Sequence, residues 1–124
     1  MSKKEHFEIQ HQHNEEDGIH IVHFKGHFDS VSSPAAEAKM SEVIEKGDRI
    51  VANFSELIYI SSAGLRVLLV ALKKSKNKNT RIVFCALGEN VRKVFEISNF
   101  LSILDVAGTH EEAVERVKKH KAKS

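Results

Sequence analysis

Length, composition and charge place this chain among ordinary globular domains. It has 124 residues, of which 41% are hydrophobic and 29% charged, and 19 basic against 17 acidic side chains leave a formal net charge of +2. One domain with its own core is expected at this size, and so even a charge balance is not typical of a nucleic-acid-binding protein. A single cysteine excludes an internal disulfide, and no secretory signal or membrane-length apolar run is present, which together predict a cytoplasmic location.

The first part of the chain predicts a hairpin and a helix. In "HFEIQHQHNEEDGIHIVHFKG", apolar and polar residues alternate on both sides of the turn residues NEEDG, where Gly18 can adopt a positive φ. In "SPAAEAKMSEVIEKG", Ser33 is a good N-cap, Pro34 suits the first helical position and Gly47 suits the C-terminal stop.

The second part predicts strands alternating with helices. "RIVANF" and "TRIVFCAL" are apolar without alternation, which is typical of central strands covered on both faces. Between them, "SAGLRVLLVALKKSK" predicts a helix with the apolar stripe Leu65, Leu68, Leu69 and Leu72. "ENVRKVFEIS" predicts a short helix, "LSILDVAG" a last short strand, and "THEEAVERVKK" a final helix that opens with the capping box Thr109 and Glu112. We therefore predict a small α/β domain with a mixed sheet, parallel beyond the hairpin, and a frayed charged tail from Lys118.

Two serines at one junction are unusual for a packed domain. Ser61 and Ser62 follow the apolar connection "SELIYI" at a loop–helix boundary, where a hydroxyl can cap the helix. Gly64 weakens a first helical turn, so it indicates the close approach of another backbone or molecule. A hydrolase elbow, Gly-x-Ser-x-Gly, would need glycine where Ile60 stands. The sequence therefore predicts no catalytic residue and no enzyme activity.

The helix that follows these serines carries apolar residues on two sides. At 100° per residue, Val67, Val70 and Ala71 point away from the leucine stripe and share their side with Arg66. Apolar side chains on a face that should be solvated indicate a contact surface. The alternative is a helix wedged between two layers of its own domain.

The junction also carries a resemblance to a known family. "IVANFSELIYISSAGLRVLLVALKK", the "GHFDS" segment at positions 26–30 and the "RIVFCAL" strand resemble the STAS-domain family, specifically bacterial anti-sigma factor antagonists. The resemblance runs from about Phe7 to about Val117. It implies a single STAS domain over residues 1–124, with an ordered core of about 5–118, and a small mixed sheet with helices packed mainly on one face. The implied function is to bind an anti-sigma factor that is also a serine kinase, which frees the sigma factor.

The same resemblance implies a phosphorylation switch. The family motif Asp-Ser-Ser/Thr-Gly-Leu, aligned on Gly64 and Leu65, puts the phosphate acceptor on Ser62, with Ser61 as the alternative. Phosphorylation by the kinase would end the binding, and a metal-dependent serine phosphatase would reverse it. Ser61 and Asn53 stand where many members carry aspartate, which makes the site less acidic. With the outward helix face, the implied partner contacts are Asp29, Ser61, Ser62, Ala63, Gly64, Arg66, Val67 and Val70. The alternative function is an adaptor subunit of a lipid-transport or sensory complex, without a phosphate cycle.

The remaining reactive side chains predict no chemistry. His11 and His13 could share a strand face with His20 or His23 across the hairpin, but zinc needs three or four converging ligands. We predict solvated hairpin histidines, no metal site and no cofactor. Cys85 lies inside an apolar strand and is predicted to be a buried, inert thiol.

Overall fold

The computed structural model describes residues 6–121 of the chain. Its elements are β1 (Glu8–Asn14), β2 (Ile19–Phe28), α1 (Ser33–Lys46), β3 (Arg49–Ile60), α2 (Ser62–Asn77), β4 (Arg81–Cys85), α3 (Glu89–Ile97), a 3-10 turn (Phe100–Ser102), β5 (Val106–Ala107) and α4 (His110–Lys118).

These strands form one mixed five-stranded sheet. The strand order is β1-β2-β3-β4-β5. The β1–β2 pair is antiparallel and its turn uses Gly18 at φ +70°, whereas the other three pairs are parallel. The predicted hairpin, mixed sheet and α/β class are confirmed.

The helices cover the two faces of the sheet unequally. The larger core lies under α1, α2 and α3, where five phenylalanines are fully buried: Phe24, Phe28, Phe54, Phe84 and Phe95. The smaller core lies under α4 on the opposite face and contains Ile19, Val51, Val83, Cys85, Ala107, Ala113 and Val117. Because β3 and β4 are apolar on both sides, they can occupy the centre of this arrangement. Helices packed mainly on one face are confirmed.

Strand β3 is longer than the sequence predicted. The segment Ser55–Ile60, expected as a connection, continues β3 for its whole length and pairs with the second half of β2. Two register shifts in this pairing, between His23 and Lys25 and between Gly26 and His27, give β3 two residues more than β2. They hide the strand from a search for strict alternation, and they bring Ile60 opposite Phe28.

The predicted N-caps of α1 and α4 can be compared with the structure. Helix α1 begins at Ser33 itself with Ser32 as N-cap, so the predicted cap was one residue off, and the Ser33 hydroxyl donates to the Asp29 carbonyl at 2.6 Å. The predicted N-cap of α4 is confirmed, since Thr109 Oγ1 accepts from the Glu112 N–H at 3.1 Å. The reciprocal bond of a capping box differs, because Glu112 Oε2 accepts from the Gly108 N–H at 3.3 Å and not from the Thr109 N–H.

The chain stays attached to the domain beyond α4. The Arg49 Nε donates to the His120 carbonyl at 3.0 Å, and the His120 ring lies 2.8 Å from the Asn79 carbonyl. The tail predicted to fray from Lys118 is therefore held as far as His120, and residues 122–124 lie outside the described part.

Candidate functional site

The junction between β3 and α2 is fixed to the end of β2. The Ser61 N–H donates to the Phe28 carbonyl at 2.9 Å, and the Ser61 carbonyl accepts from the Leu65 N–H at 2.9 Å. The Ser61 hydroxyl accepts from the Gly64 N–H at 3.3 Å, with extended backbone at φ −97° and ψ 176°. Ser61 is thus the N-cap of α2, and the predicted capping role belongs to it rather than to Ser62.

Gly64 lets the first turn of α2 lie directly on the neighbouring strands. A Cβ at this position would lie 2.8 Å from Ile60 Cγ1 and 2.9 Å from the Phe28 carbonyl oxygen. The close approach predicted for Gly64 is therefore to this chain's own backbone. Gly64 is buried, so its predicted role as a partner contact stays a prediction without an exposed surface to support it.

Ser62 is the first residue of α2, and its side chain is exposed. Within residues 6–121 its hydroxyl has no hydrogen-bond partner. The first turn of α2 contains no acidic residue, and the N–H groups of a helix start make the local potential positive. The arrangement therefore presents a free hydroxyl at a point that tolerates an added anion.

Asp29 organises the turn beside this junction. It follows Phe28, and its Oδ1 accepts from the N–H groups of Val31 and Ser32 at 3.0 and 3.2 Å. The Ser32 hydroxyl accepts from the Asp29 N–H at 2.9 Å. Asp29 is thus half-buried and engaged in holding the β2–α1 turn next to Ser61.

The outward face of α2 is narrower than predicted. Val67 and Ala71 are only 4% and 5% exposed and pack in the larger core, so the prediction that they point outward is wrong. The wedged-helix alternative describes them correctly, because α1 covers this side of α2. Arg66 and Ala63 remain at least partly exposed, and Val70 is 43% exposed.

A cleft of about 350 Å³ separates α1 from α2 near this face. Val70 lies on it together with small and aliphatic side chains from both helices. The lining residues are Pro34, Glu37, Ala38, Met40, Ser41, Ile44, Val67, Val70, Ala71 and Lys74.

Two exposed apolar residues lie near the junction and were not predicted from the sequence. Val31, in the turn held by Asp29, is 87% exposed, and Tyr59, two residues before Ser61, is 45% exposed. A valine inside the polar turn "DSVSS" was a usable signal, since such turns seldom need an apolar side chain. Tyr59 gave none, because its direction depends on the register shifts of β3.

Asn53 lies away from the junction. It is seven residues before Ile60 in β3, its Oδ1 accepts from the Ser55 N–H at 2.8 Å, and its Nδ2 lies 3.0 Å from His110 Nδ1 in α4. The expectation that Asn53 makes the serine site less acidic is therefore wrong, because the strand does not end at that residue.

The structure agrees with the burial predicted for the cysteine but not with the exposure predicted for one of the histidines. Cys85 is fully buried, as predicted. Burial raises the pKa of its thiol to about 11, which disfavours the reactive thiolate. His20 is only 3% exposed, so the prediction of solvated hairpin histidines is wrong for this residue.

Comparison with known proteins agrees with the fold. A family model described as the STAS domain matches residues 10–113. BtrV of Bordetella bronchiseptica, an anti-sigma factor antagonist by name, is 42% identical over 98 residues, covering 78% of this chain and 84% of BtrV. An anti-sigma factor antagonist structure from Mycobacterium paratuberculosis has a TM-score of 0.84 at 19% identity, covering 96% of this chain and all of the other.

A further structure is that of Bacillus SpoIIAA in its phosphorylated form, with a TM-score of 0.67 at 24% identity and coverage of 89% and 99%. The chain belongs to the STAS-domain family, whose anti-sigma factor antagonists are regulatory binding proteins rather than enzymes. No helix within residues 6–121 is long and apolar enough to span a membrane.

Proposed function

We propose that this protein is an anti-sigma factor antagonist that binds an anti-sigma factor in the cytoplasm and thereby frees a sigma factor. The observation that carries the proposal is the exposed Ser62 hydroxyl at the start of α2, on a junction fixed by Ser61 and Gly64. The relationship to BtrV, whose name states this role, supports it.

The binding surface that we propose surrounds Ser62. It consists of Asp29 and Val31 from the β2–α1 turn and of Ser61, Ser62, Ala63, Arg66 and Val70 from the junction and α2. Its apolar members, Val31 and Val70, are 87% and 43% exposed, so a partner could gain free energy by covering them. Arg66 adds a positive charge that within residues 6–121 forms no ion pair.

We further propose that the anti-sigma factor is a serine kinase that phosphorylates Ser62, and that a metal-dependent serine phosphatase reverses the reaction. A phosphate adds about −1.5 to −2 charges and three strong acceptor oxygens. The helix start tolerates that anion in the free protein. Beneath a bound partner the same charge would have to be desolvated, which costs several kcal/mol unless a cation pairs with it. Phosphorylation would thus end binding without unfolding the domain.

The test is a binding titration with the purified anti-sigma factor encoded by the same organism, followed by displacement of its sigma factor. Wild type and Ser62→Ala should both bind and displace the sigma factor. Ser62→Asp should lose at least about tenfold in affinity, because its carboxylate would be buried at the interface. An affinity of Ser62→Asp equal to that of wild type would contradict the proposal that a negative charge at position 62 weakens binding.

Val70 and Val67 form a matched pair for locating the surface. Val70→Asp should weaken binding while the domain stays folded, because Val70 is exposed. Val67→Asp should instead unfold the domain, because Val67 is buried. Equal binding by a folded Val70→Asp variant and by wild type would show that this helix face is not part of the interface.

A Ser62 that is never phosphorylated, in a protein that co-purifies with a transport or sensory complex, would favour the adaptor alternative.

A further inference from the structure

Three imidazoles meet on the β1–β2 hairpin, at the opposite end of the sheet from Ser62. The His11 Nε2 and the His20 Nδ1 lie 2.8 Å apart, within hydrogen-bond distance. The His13 ring stacks on the His20 ring with centroids 4.0 Å apart and planes 4° apart. His20 is buried, although it lies one residue from the start of β2.

The end of α1 closes over this cluster. A Cβ on Gly47 would lie 2.3 Å from His20 Cδ2 and 2.4 Å from His20 Nε2, so the Gly47 backbone rests on the ring. The Thr80 hydroxyl donates to the Gly47 carbonyl at 3.2 Å, which holds that backbone in place. The His20 ring therefore fastens the hairpin to the point where α1 ends.

The charged groups around the cluster are balanced in number, three basic and three acidic. Helix α1 contributes Lys39, Glu42 and Lys46, and Glu42 Oε2 is within 3.2 Å of Lys39 and 3.6 Å of Lys46. The β1–β2 turn contributes Asp17, and the segment after α1 contributes Asp48 and Arg49 around the depression next to His20. Protonation of His20 would add a cation whose interaction with Lys46 is unfavourable, in a place with little access to water.

The geometry of the imidazole pair limits how many protons it can hold. A hydrogen bond between two ring nitrogens needs one donor and one neutral acceptor, so two fully protonated rings cannot form it. Burial, together with the charges of His13, His11 and Lys46, lowers the pKa of His20 to about 4 from its ordinary 6.5. Burial, followed by Lys46 and Lys39, also lowers the pKa of His11.

We propose that His11, His13, His20 and Gly47 form a pH-sensitive histidine latch, which joins the β1–β2 hairpin to the end of α1 and opens when His11 and His20 are protonated. The direction follows from the two protonation states. Because the pKa of His20 is depressed in the folded protein, the latch contributes fully above the unfolded value of 6.5. Its contribution falls as the pH drops from 6.5 towards about 4, since the unfolded chain takes up the proton first.

The test is urea unfolding of the full chain at pH 7.5 and pH 5.0, compared with His20→Phe. For wild type, titration of His20 alone should lower the ratio of folded to unfolded protein by on the order of tenfold or more between pH 7.5 and pH 5.0. His20→Phe keeps an aromatic ring but cannot titrate, so it should lose most of that pH dependence. His6→Gln is the control, because His6 is an exposed histidine outside the cluster, and it should behave as wild type. A His20→Phe variant that keeps the wild-type pH dependence would overturn the proposal.

A second measurement decides the matter if His20→Phe does not fold. The carbon-bound ring protons of His20 in the wild-type protein report its protonation by NMR. A titration midpoint below pH 5, with amide protection lost first in β1 and at Gly47, supports the latch. A midpoint near 6.5, or a loss of protection that is uniform over the sheet, overturns it.

Discussion

The two ends of strand β2 place polar side chains in opposite environments. At its end, Phe28 holds the junction where the Ser62 hydroxyl faces outward without a partner in the described part of the chain. Near its start, His20 lies buried between His11, His13 and the Gly47 backbone. An exposed hydroxyl can gain charge while the fold persists, whereas a buried imidazole can gain charge only if the fold loosens. Exposure therefore decides whether a polar group can contact a partner protein or only other residues of its own domain.

The largest expected effect comes from adding one charge at each end of β2. His20→Lys should lose about 3 kcal/mol or more of unfolding free energy, because it buries a cation next to Lys46 and against the Gly47 backbone. Ser62→Asp should change stability by less than about 0.5 kcal/mol, because the site is exposed and the helix start favours an anion. Urea unfolding at pH 7.5 measures both variants. Similar losses of stability in the two variants would show that the two sites do not differ in their tolerance of charge.

The next effect concerns the support beneath Ser62. Gly64→Val should cost about 3 kcal/mol, because its side chain would overlap the Phe28 carbonyl and Ile60. Thermal unfolding measures the loss. Gly88→Val is a suitable control, since a Cβ at Gly88 meets nothing within 4 Å, and it should cost much less. A Gly64→Val variant as stable as its control would show that the junction is not rigidly packed.

A smaller difference in stability is expected between alanine variants of the two adjacent serines. Ser61→Ala removes the N-cap of α2 and should cost roughly 1 kcal/mol. Ser62→Ala removes a hydroxyl without a hydrogen-bond partner in residues 6–121 and should be close to neutral. Urea unfolding of the two variants side by side measures the difference in their unfolding free energies. A larger cost at Ser62 than at Ser61 would mean that the capping roles are reversed.

The sequence predicted the elements because periodicity and end signals are local properties. The hairpin turn at Gly18, the N-cap at Thr109 and the central strands all rest on a few adjacent residues. Burial around α2 was less predictable, since Val67 is covered by α1, which lies far away in the sequence. The length of β3 was missed for a related reason, because its register shifts are defined only by pairing with β2.

The candidate site was predictable to a similar degree. Ser62 stood out because hydroxyls interrupt an apolar run, and the structure leaves its side chain exposed. Asn53 was misplaced because its position relative to the junction depends on where β3 ends. The buried state of His20 depends on Gly47, which meets it only through the packing of α1.

Phosphate mapping on this chain tests the proposed switch at Ser62 most directly. The protein would be incubated with its anti-sigma factor and ATP, digested, and analysed by mass spectrometry beside Ser62→Ala and Ser61→Ala. We predict phosphate on Ser62 in wild type and in Ser61→Ala, none in Ser62→Ala, and loss of binding by the phosphorylated protein. Phosphate on Ser61, or an active kinase that modifies neither serine, would contradict this prediction.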